Sequence, residues 1–91
     1  MKTFEKTPSE LLNYTRKWRK FLNGATIASD EWASSSSVTI VSNTNDDDSS
    51  TVNTASGTVG DESILTCTMT DSNGEKYQRS ILIKVVEYRG E

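Results

Sequence analysis

The stretch Leu65-Thr66-Cys67-Thr68-Met69-Thr70, in which apolar and hydroxyl side chains alternate, is the strongest indicator of the fold of this 91-residue chain. A period of two places each set on its own face of an extended segment, so the pattern predicts a half-buried β-strand. The next residues are Asp71-Ser72-Asn73-Gly74, whose Asn-Gly pair is typical of a type I′ turn. Apolar residues then return at alternate positions, namely Tyr77, Ile81, Ile83 and Val85. Together these segments predict an antiparallel hairpin.

The second strand of this hairpin also carries apolar residues on its other face, at Leu82 and Val86. A strand that is apolar on both faces needs cover on both faces. We therefore expect Leu82 and Val86 to form part of an interface, with a partner chain as the cover.

Further strands are predicted upstream of the hairpin. The Thr- and Val-rich stretches 37–41 and 51–55 predict a second hairpin, because the Asn, Asp and Ser residues of 42–50 favour a turn between them. Residues 25–33 predict another strand, and the Gly-containing stretch 56–60 predicts a tight connection. Short strands separated by regular turn signals are typical of a small sandwich or barrel. The expected core residues are Tyr14, Trp18, Ile27, Trp32, Leu65, Cys67, Met69, Tyr77, Ile81, Ile83 and Val85.

Residues 8–22 allow two interpretations. Thr7 and Glu10 match a capping box with Pro8 at the first helical position, and large apolar residues recur at helical spacing up to Asn23-Gly24. The alternative is a strand with Tyr14 and Trp18 on one face, followed by a short helical turn over residues 19–22. Periodicity favours the helix.

The charged residues are segregated along the chain, although the formal net charge is only −3. All ten Lys and Arg residues lie in residues 1–20 or 76–91, and residues 21–75 carry acids alone. A nucleic-acid-binding domain needs a basic face, so this distribution argues against nucleic acid as a partner. We expect the basic residues Arg16, Lys17, Arg19 and Lys20 to form an interface. This basic end would face the acidic middle of an adjacent copy and join the copies head to tail in a ring. We expect this association to weaken as the salt concentration rises.

Catalysis and cofactor binding have little support. The chain has no histidine, and its single cysteine, Cys67, cannot form an internal disulfide. Asp46-Asp47-Asp48 could supply oxygen ligands to Ca²⁺, but the spacing of an EF-hand loop is absent, so we expect a solvated loop. The apolar stretches are too short for a membrane span, and the N-terminus lacks the apolar stretch of a signal peptide. We expect no enzymatic activity, no cofactor, no metal and no membrane contact.

The order of short motifs along the chain resembles a family of phage and prophage fiber–tail adaptor proteins. The matching residues are Pro8, Asn13-Tyr14, Lys17-Trp18, Leu22, Gly24, Thr26-Ile27, Trp32, Ser56-Gly57-Thr58-Val59-Gly60 and Arg79-Ser80-Ile81. The family pattern has acidic residues where this chain has Asn13 and Lys17, and an aromatic residue where it has Asn53.

The resemblance implies a small immunoglobulin-like antiparallel β-sandwich of six to seven strands that serves as a structural part of the virion tail. It places a strand at residues 14–18 and implies partners among tail, portal or fiber proteins, with synthesis in the bacterial cytoplasm. We expect one domain over residues 1–91, with residues 1–10 as a flexible or docking arm. The alternative function is a recognition module that binds a host-surface glycan or protein through the loops at 34–37 and 43–50.

Overall fold

The computed structural model describes residues 2–87, which form seven strands and one short helix. The elements are β1 (Lys2–Lys6), β2 (Leu12–Lys17), α1 (Arg19–Leu22), β3 (Ile27–Ser34), β4 (Thr39–Asn45), β5 (Ser49–Ala55), β6 (Glu62–Asp71) and β7 (Lys76–Val85). Within residues 2–87, no helix is long and apolar enough to cross a membrane.

The strands form two sheets that pack face to face, which confirms the predicted all-β sandwich. One sheet has the order β1-β7-β6-β3 and the other the order β2-β5-β4. All pairings are antiparallel except that of β1 with β7, which is parallel. These two strands lie at opposite ends of the chain, so no tight turn forces them to run in opposite directions.

The hairpin of β6 and β7 is confirmed, but its turn is not of type I′. A type I′ turn needs two central residues with positive φ, and in this loop only Gly74 has one, at 87°. The loop is organised instead by Asp71, whose Oδ1 accepts hydrogen bonds from the main-chain N–H groups of Asn73 and Glu75, both at 2.9 Å. This carboxylate stabilises a longer turn than the Asn-Gly pair predicts.

The second hairpin, β4 with β5, is also confirmed, and its strands are longer than predicted. Asn43, Thr44 and Asn45 pair with β5, so the turn is reduced to residues 46–48. The Asp46 carboxylate closes it by accepting hydrogen bonds from the N–H groups of Asp48 and Ser49. Polar residues that favour turns locally are thus held in strands by ladder pairing.

Residues 12–22 adopt the strand alternative and not the helix. Tyr14 of β2 lies opposite Val52 of β5, and only Arg19–Leu22 turns helically before Asn23, which has a φ of 52°. Helical periodicity is misleading here, because pairing with β5 outweighs a weak local preference. The segment expected to be an arm contains β1, which is hydrogen-bonded along β7.

Two clusters of buried side chains form the core. The first contains Tyr14, Val38, Val52, Leu65, Ile81, Ile83 and Val85, and the second contains Trp18, Leu22, Ile27, Cys67 and Met69. Trp32 is half-buried and packs against both clusters, whereas Tyr77 is half-buried against the second. Val38 and Val52 are core residues that the sequence patterns did not single out. Burial raises the pKa of the Cys67 thiol to about 12, so this cysteine is a packing residue and not a nucleophile.

Candidate docking groove

The two sides of the sandwich differ in how they are closed. On one side β3 and β4 lie together, and Asn43 Nδ2 donates a hydrogen bond to Asp30 Oδ1 over 3.0 Å. On the other side lie β1 and β2, each the terminal strand of its sheet. The rings of Phe4 and Tyr14 meet there at 4.9 Å between centroids, and beside them a groove of about 820 Å³ remains open.

This opening, which we call the basic groove, is lined mainly by cationic and aromatic residues. The charged residues are Lys2, Arg16, Lys17, Arg19, Lys20 and Asp48, and Phe4, Phe21, Trp32 and Ile81 supply much of the apolar lining. Five cations therefore face one carboxylate. A concave surface with a large excess of one sign of charge attracts and orients ligands of the opposite sign.

The one carboxylate of the groove is already paired. Asp48 Oδ2 accepts hydrogen bonds from Arg19 Nη2 at 2.9 Å and from Arg19 Nε at 3.2 Å. These contacts hold the pKa of Asp48 below its ordinary value. They also place the acidic tip of the β4–β5 hairpin beside the basic end of the same molecule, so the two charges do not occupy separate faces as the charge pattern suggested.

Aromatic rings fix the position of two guanidinium groups. Arg16 Cζ lies 5.7 Å from the centroid of the Trp18 ring, and Arg79 Cζ lies 4.4 Å from that of Phe21. Cation–π contacts of this length restrict the guanidinium without neutralising it. A shallower recess next to the groove shares Lys2 and Arg16 and adds Arg79. The positive surface therefore continues from β2 onto β7.

Two hydrogen-bond donors of the groove residues are buried without an acceptor among the described residues, namely Arg16 Nε and Trp32 Nε1. Leaving a buried donor unpaired costs about 1–3 kcal/mol.

The structure brings four of the six predicted interface residues together. Arg16, Lys17, Arg19 and Lys20 all line the basic groove. Lys2 joins them from β1, and no local signal could have identified it, because its place depends on the pairing of β1 with β7.

The other two predicted interface residues lie elsewhere. Leu82 is half-buried between Thr3 and Ile64, its partners in the flanking strands. Val86 is half-buried, and its N–H donates to the Lys6 carbonyl over 2.8 Å. Both residues lie beside β1 and outside the basic groove, and their place in an interface stays a prediction.

The remaining candidate sites are dispersed. Within residues 2–87 no group of three or more His, Cys, Asp or Glu residues is placed to hold a metal ion. The loop at 34–37 precedes β4, and the acidic tip at 46–48 follows it. A seven-residue strand spans roughly 23 Å, so these two loops do not converge on one glycan site.

Comparison with known proteins gives one family and one fold. The family model described as "Podophage GP4 fiber-tail adaptor protein gp77" matches residues 6–84. Among solved structures, the PKD domain from the KIAA 1837 protein matches with a TM-score of 0.50 and 18% identity, covering 99% of this chain and 85% of that one. This likeness confirms the immunoglobulin-like fold and carries nothing about function. No curated protein matches the chain.

Proposed function

Because the chain belongs to the podophage GP4 fiber-tail adaptor protein gp77 family, we propose that it is a non-enzymatic structural adaptor that docks fiber or other tail proteins through the basic groove. The observation that carries this proposal is the position of the groove between two sheet edges. Lys2 comes from β1, Arg16 and Lys17 come from β2, and Lys20 comes from α1, so one surface collects cations from three elements.

A rigid scaffold suits such a role. The cations stand on strands and on a short helix that is fixed at both ends by buried residues, Trp18 just before it and Leu22 at its end, so their spacing is held by the core. Docking by charged residues on a rigid surface favours fast, oriented association and is sensitive to salt. In the virion we expect the chain at the junction of fiber and tail.

The proposal is tested by assembly with the purified fiber and tail proteins of the same phage, followed by native mass spectrometry. Lys17→Glu reverses a charge inside the groove, and Lys76→Glu makes the same change at an exposed residue outside it. We expect Lys17→Glu to abolish the complex at 150 mM salt and Lys76→Glu to leave it intact. Equal assembly of both variants would refute the groove as the docking surface.

A further inference from the structure

We propose that the occupant of the basic groove is an extended acidic segment of a partner protein, which pairs as an added strand along the free edge of β2. This inference rests on the proposed docking function and names the partner chemistry of the same groove. The observation behind it is that the groove lies between two strands that each have only one paired edge among the described residues.

The edge of β2 supplies the main-chain groups for such pairing. β2 pairs with β5 alone, and β1 pairs with β7 alone, so each leaves one row of N–H and C=O groups without a strand partner within residues 2–87. An unpaired edge is a template for another strand, and β-augmentation uses it for peptide recognition. Charged side chains on an edge discourage pairing with identical edges. Arg16 and Lys17 would therefore repel a second β2 while attracting an acidic strand.

The groove has the size and the chemistry for such a strand. Its volume of about 820 Å³ falls within the roughly 300–1,000 Å³ of ligand pockets. β2 has six residues, which corresponds to about 20 Å of extended chain. Because side chains of a strand alternate, carboxylates on one face of the segment would reach Lys17 and Lys20. Apolar residues on its other face would contact Phe4 and Trp32.

A protein strand fits the groove better than nucleic acid does, although both are anionic. The chain carries a formal net charge of −3 and no Lys or Arg in residues 21–75, so a long polyanion that extended beyond the groove would meet repulsion, whereas a short acidic segment would not extend so far. Nucleic acid also has no groups that continue a β-ladder. A peptide partner can use both the cations of the groove and the unpaired main-chain groups of the β2 edge.

The experiment titrates the ¹⁵N-labelled chain with the fluorescein-labelled hexapeptide Glu-Val-Glu-Val-Glu-Val and follows amide shifts and fluorescence anisotropy. We expect saturable binding, with the largest shifts in β2. We expect Lys17→Glu to raise Kd at least about tenfold and Lys76→Glu to change it less than about twofold. Two further probes carry N-methyl groups on either the odd or the even residues, which removes alternate N–H donors without changing charge. One should bind like the parent peptide and the other should lose binding.

Three results would overturn the inference: no saturable binding of the parent peptide, equal binding of both methylated probes, or tighter binding of a dT12 oligonucleotide at the same residues. Its failure is distinguishable from failure of the proposed function. If the peptide does not bind while Lys17→Glu still abolishes assembly with fiber and tail proteins, the groove docks a partner by another mode. If the peptide binds while Lys17→Glu leaves that assembly intact, docking of fiber and tail proteins through the groove is refuted instead.

Discussion

Lys6 Nζ donates a hydrogen bond to the main-chain oxygen of Ser56 over 2.5 Å, which joins the end of β1 to the turn after β5. The ammonium also donates to the Thr7 carbonyl at 2.9 Å, and the residue is fully buried. Ser56 has a φ of 63°, a left-handed conformation that non-glycine residues rarely adopt. A lysine from the segment expected to be a flexible or docking arm thus anchors that segment to a strained turn.

The burial of Lys6 predicts a pH-dependent stability. Desolvation lowers the pKa of Lys6 from its ordinary 10.5, and the nearby Glu10 carboxylate partly opposes this shift. Because the folded pKa lies below the unfolded one, the unfolded chain binds more protons between these values, so the contribution of Lys6 to the free energy of unfolding should rise with pH there. The burial of Cys67 acts in the opposite direction in both proteins, so urea unfolding at pH 8, 9 and 10 should show the wild type gaining stability relative to Lys6→Met as the pH rises. The exposed Lys84→Met is the control, and a difference between the wild type and Lys6→Met that did not change with pH would contradict the prediction.

A second pH-dependent contribution comes from Asp61. Its Oδ2 accepts hydrogen bonds from Ser36 Oγ at 2.6 Å, from Ser37 Oγ at 2.5 Å and from Ser37 N at 3.1 Å. These bonds lower the pKa of Asp61 to about 2. With a folded pKa below the unfolded value of about 3.9, the stabilisation is fully present above pH 4 and is lost as the pH falls towards 2. Asp61→Asn should lower Tm at pH 7. Between pH 4 and pH 2, the Tm of this variant should fall by less than that of the wild type.

The matched control for that experiment is Asp47→Asn, because Asp47 is an exposed aspartate at the tip of the β4–β5 hairpin. It should leave both Tm values close to those of the wild type. If Asp61→Asn and Asp47→Asn behaved alike in thermal melts at pH 7, the serine contacts would not stabilise the fold.

Among the glycines of residues 2–87, Gly57 is predicted to be the one that tolerates substitution least. Its φ is 120°, and a Cβ atom there would lie 2.8 Å from Val85 Cγ2. Gly57→Ala should therefore destabilise the fold by about 1–3 kcal/mol from backbone conformation alone, with the clash against Val85 added. Gly24→Ala is the comparison, since Gly24 also has positive φ but a Cβ atom there would meet no heavy atom within 4 Å. Equal losses of unfolding free energy in urea would show that the approach to Val85 is unimportant.

The buried hydrogen bond from Trp18 Nε1 to Ser50 Oγ, 3.1 Å long, predicts a measurable coupling between β5 and the start of α1. Both residues are fully buried, so Ser50→Ala leaves the indole donor unpaired at a cost of about 1–3 kcal/mol. In the Trp18→Phe background, which lacks the donor, the same substitution should cost less. A double-mutant cycle from urea unfolding measures this difference, and additive losses would argue against the bond.

The sequence predicts those strands and turns that are indicated by a pattern among neighbouring residues. Strand β6 alternates in every residue from Leu65 to Thr70, and its hairpin with β7 follows from that alternation and the turn residues. Such patterns give the wrong secondary structure where pairing with a strand that is distant in the sequence outweighs the local preference. Residues 12–18 have helical spacing, but Val52 and its neighbours in β5 draw them into a ladder. Likewise, Asn43 favours a turn by itself and is paired in β4.

The basic groove lies at the limit of what sequence can predict. Four of its cations are neighbours in the chain, so Arg16, Lys17, Arg19 and Lys20 could be recognised as one basic cluster. The sequence does not show that Lys2 of β1 lines the same groove as these four cations. Nor does it show that Arg19 forms an ion pair with Asp48. These contacts join residues that are far apart in the chain, and the local sequence around each residue does not determine which distant element will lie next to it.

The all-β class, the positions of the two hairpins and the presence of a basic cluster are therefore properties of the amino-acid order alone. The two faces of a strand appear in the chain with a period of two, and charge is a property of composition. Three features arise only when the sheets assemble: β1 and β2 end their sheets on the same side, Lys6 is buried, and the cations surround an open groove. They depend on how the two sheets are paired and stacked, and that order is set by packing between residues far apart in the chain.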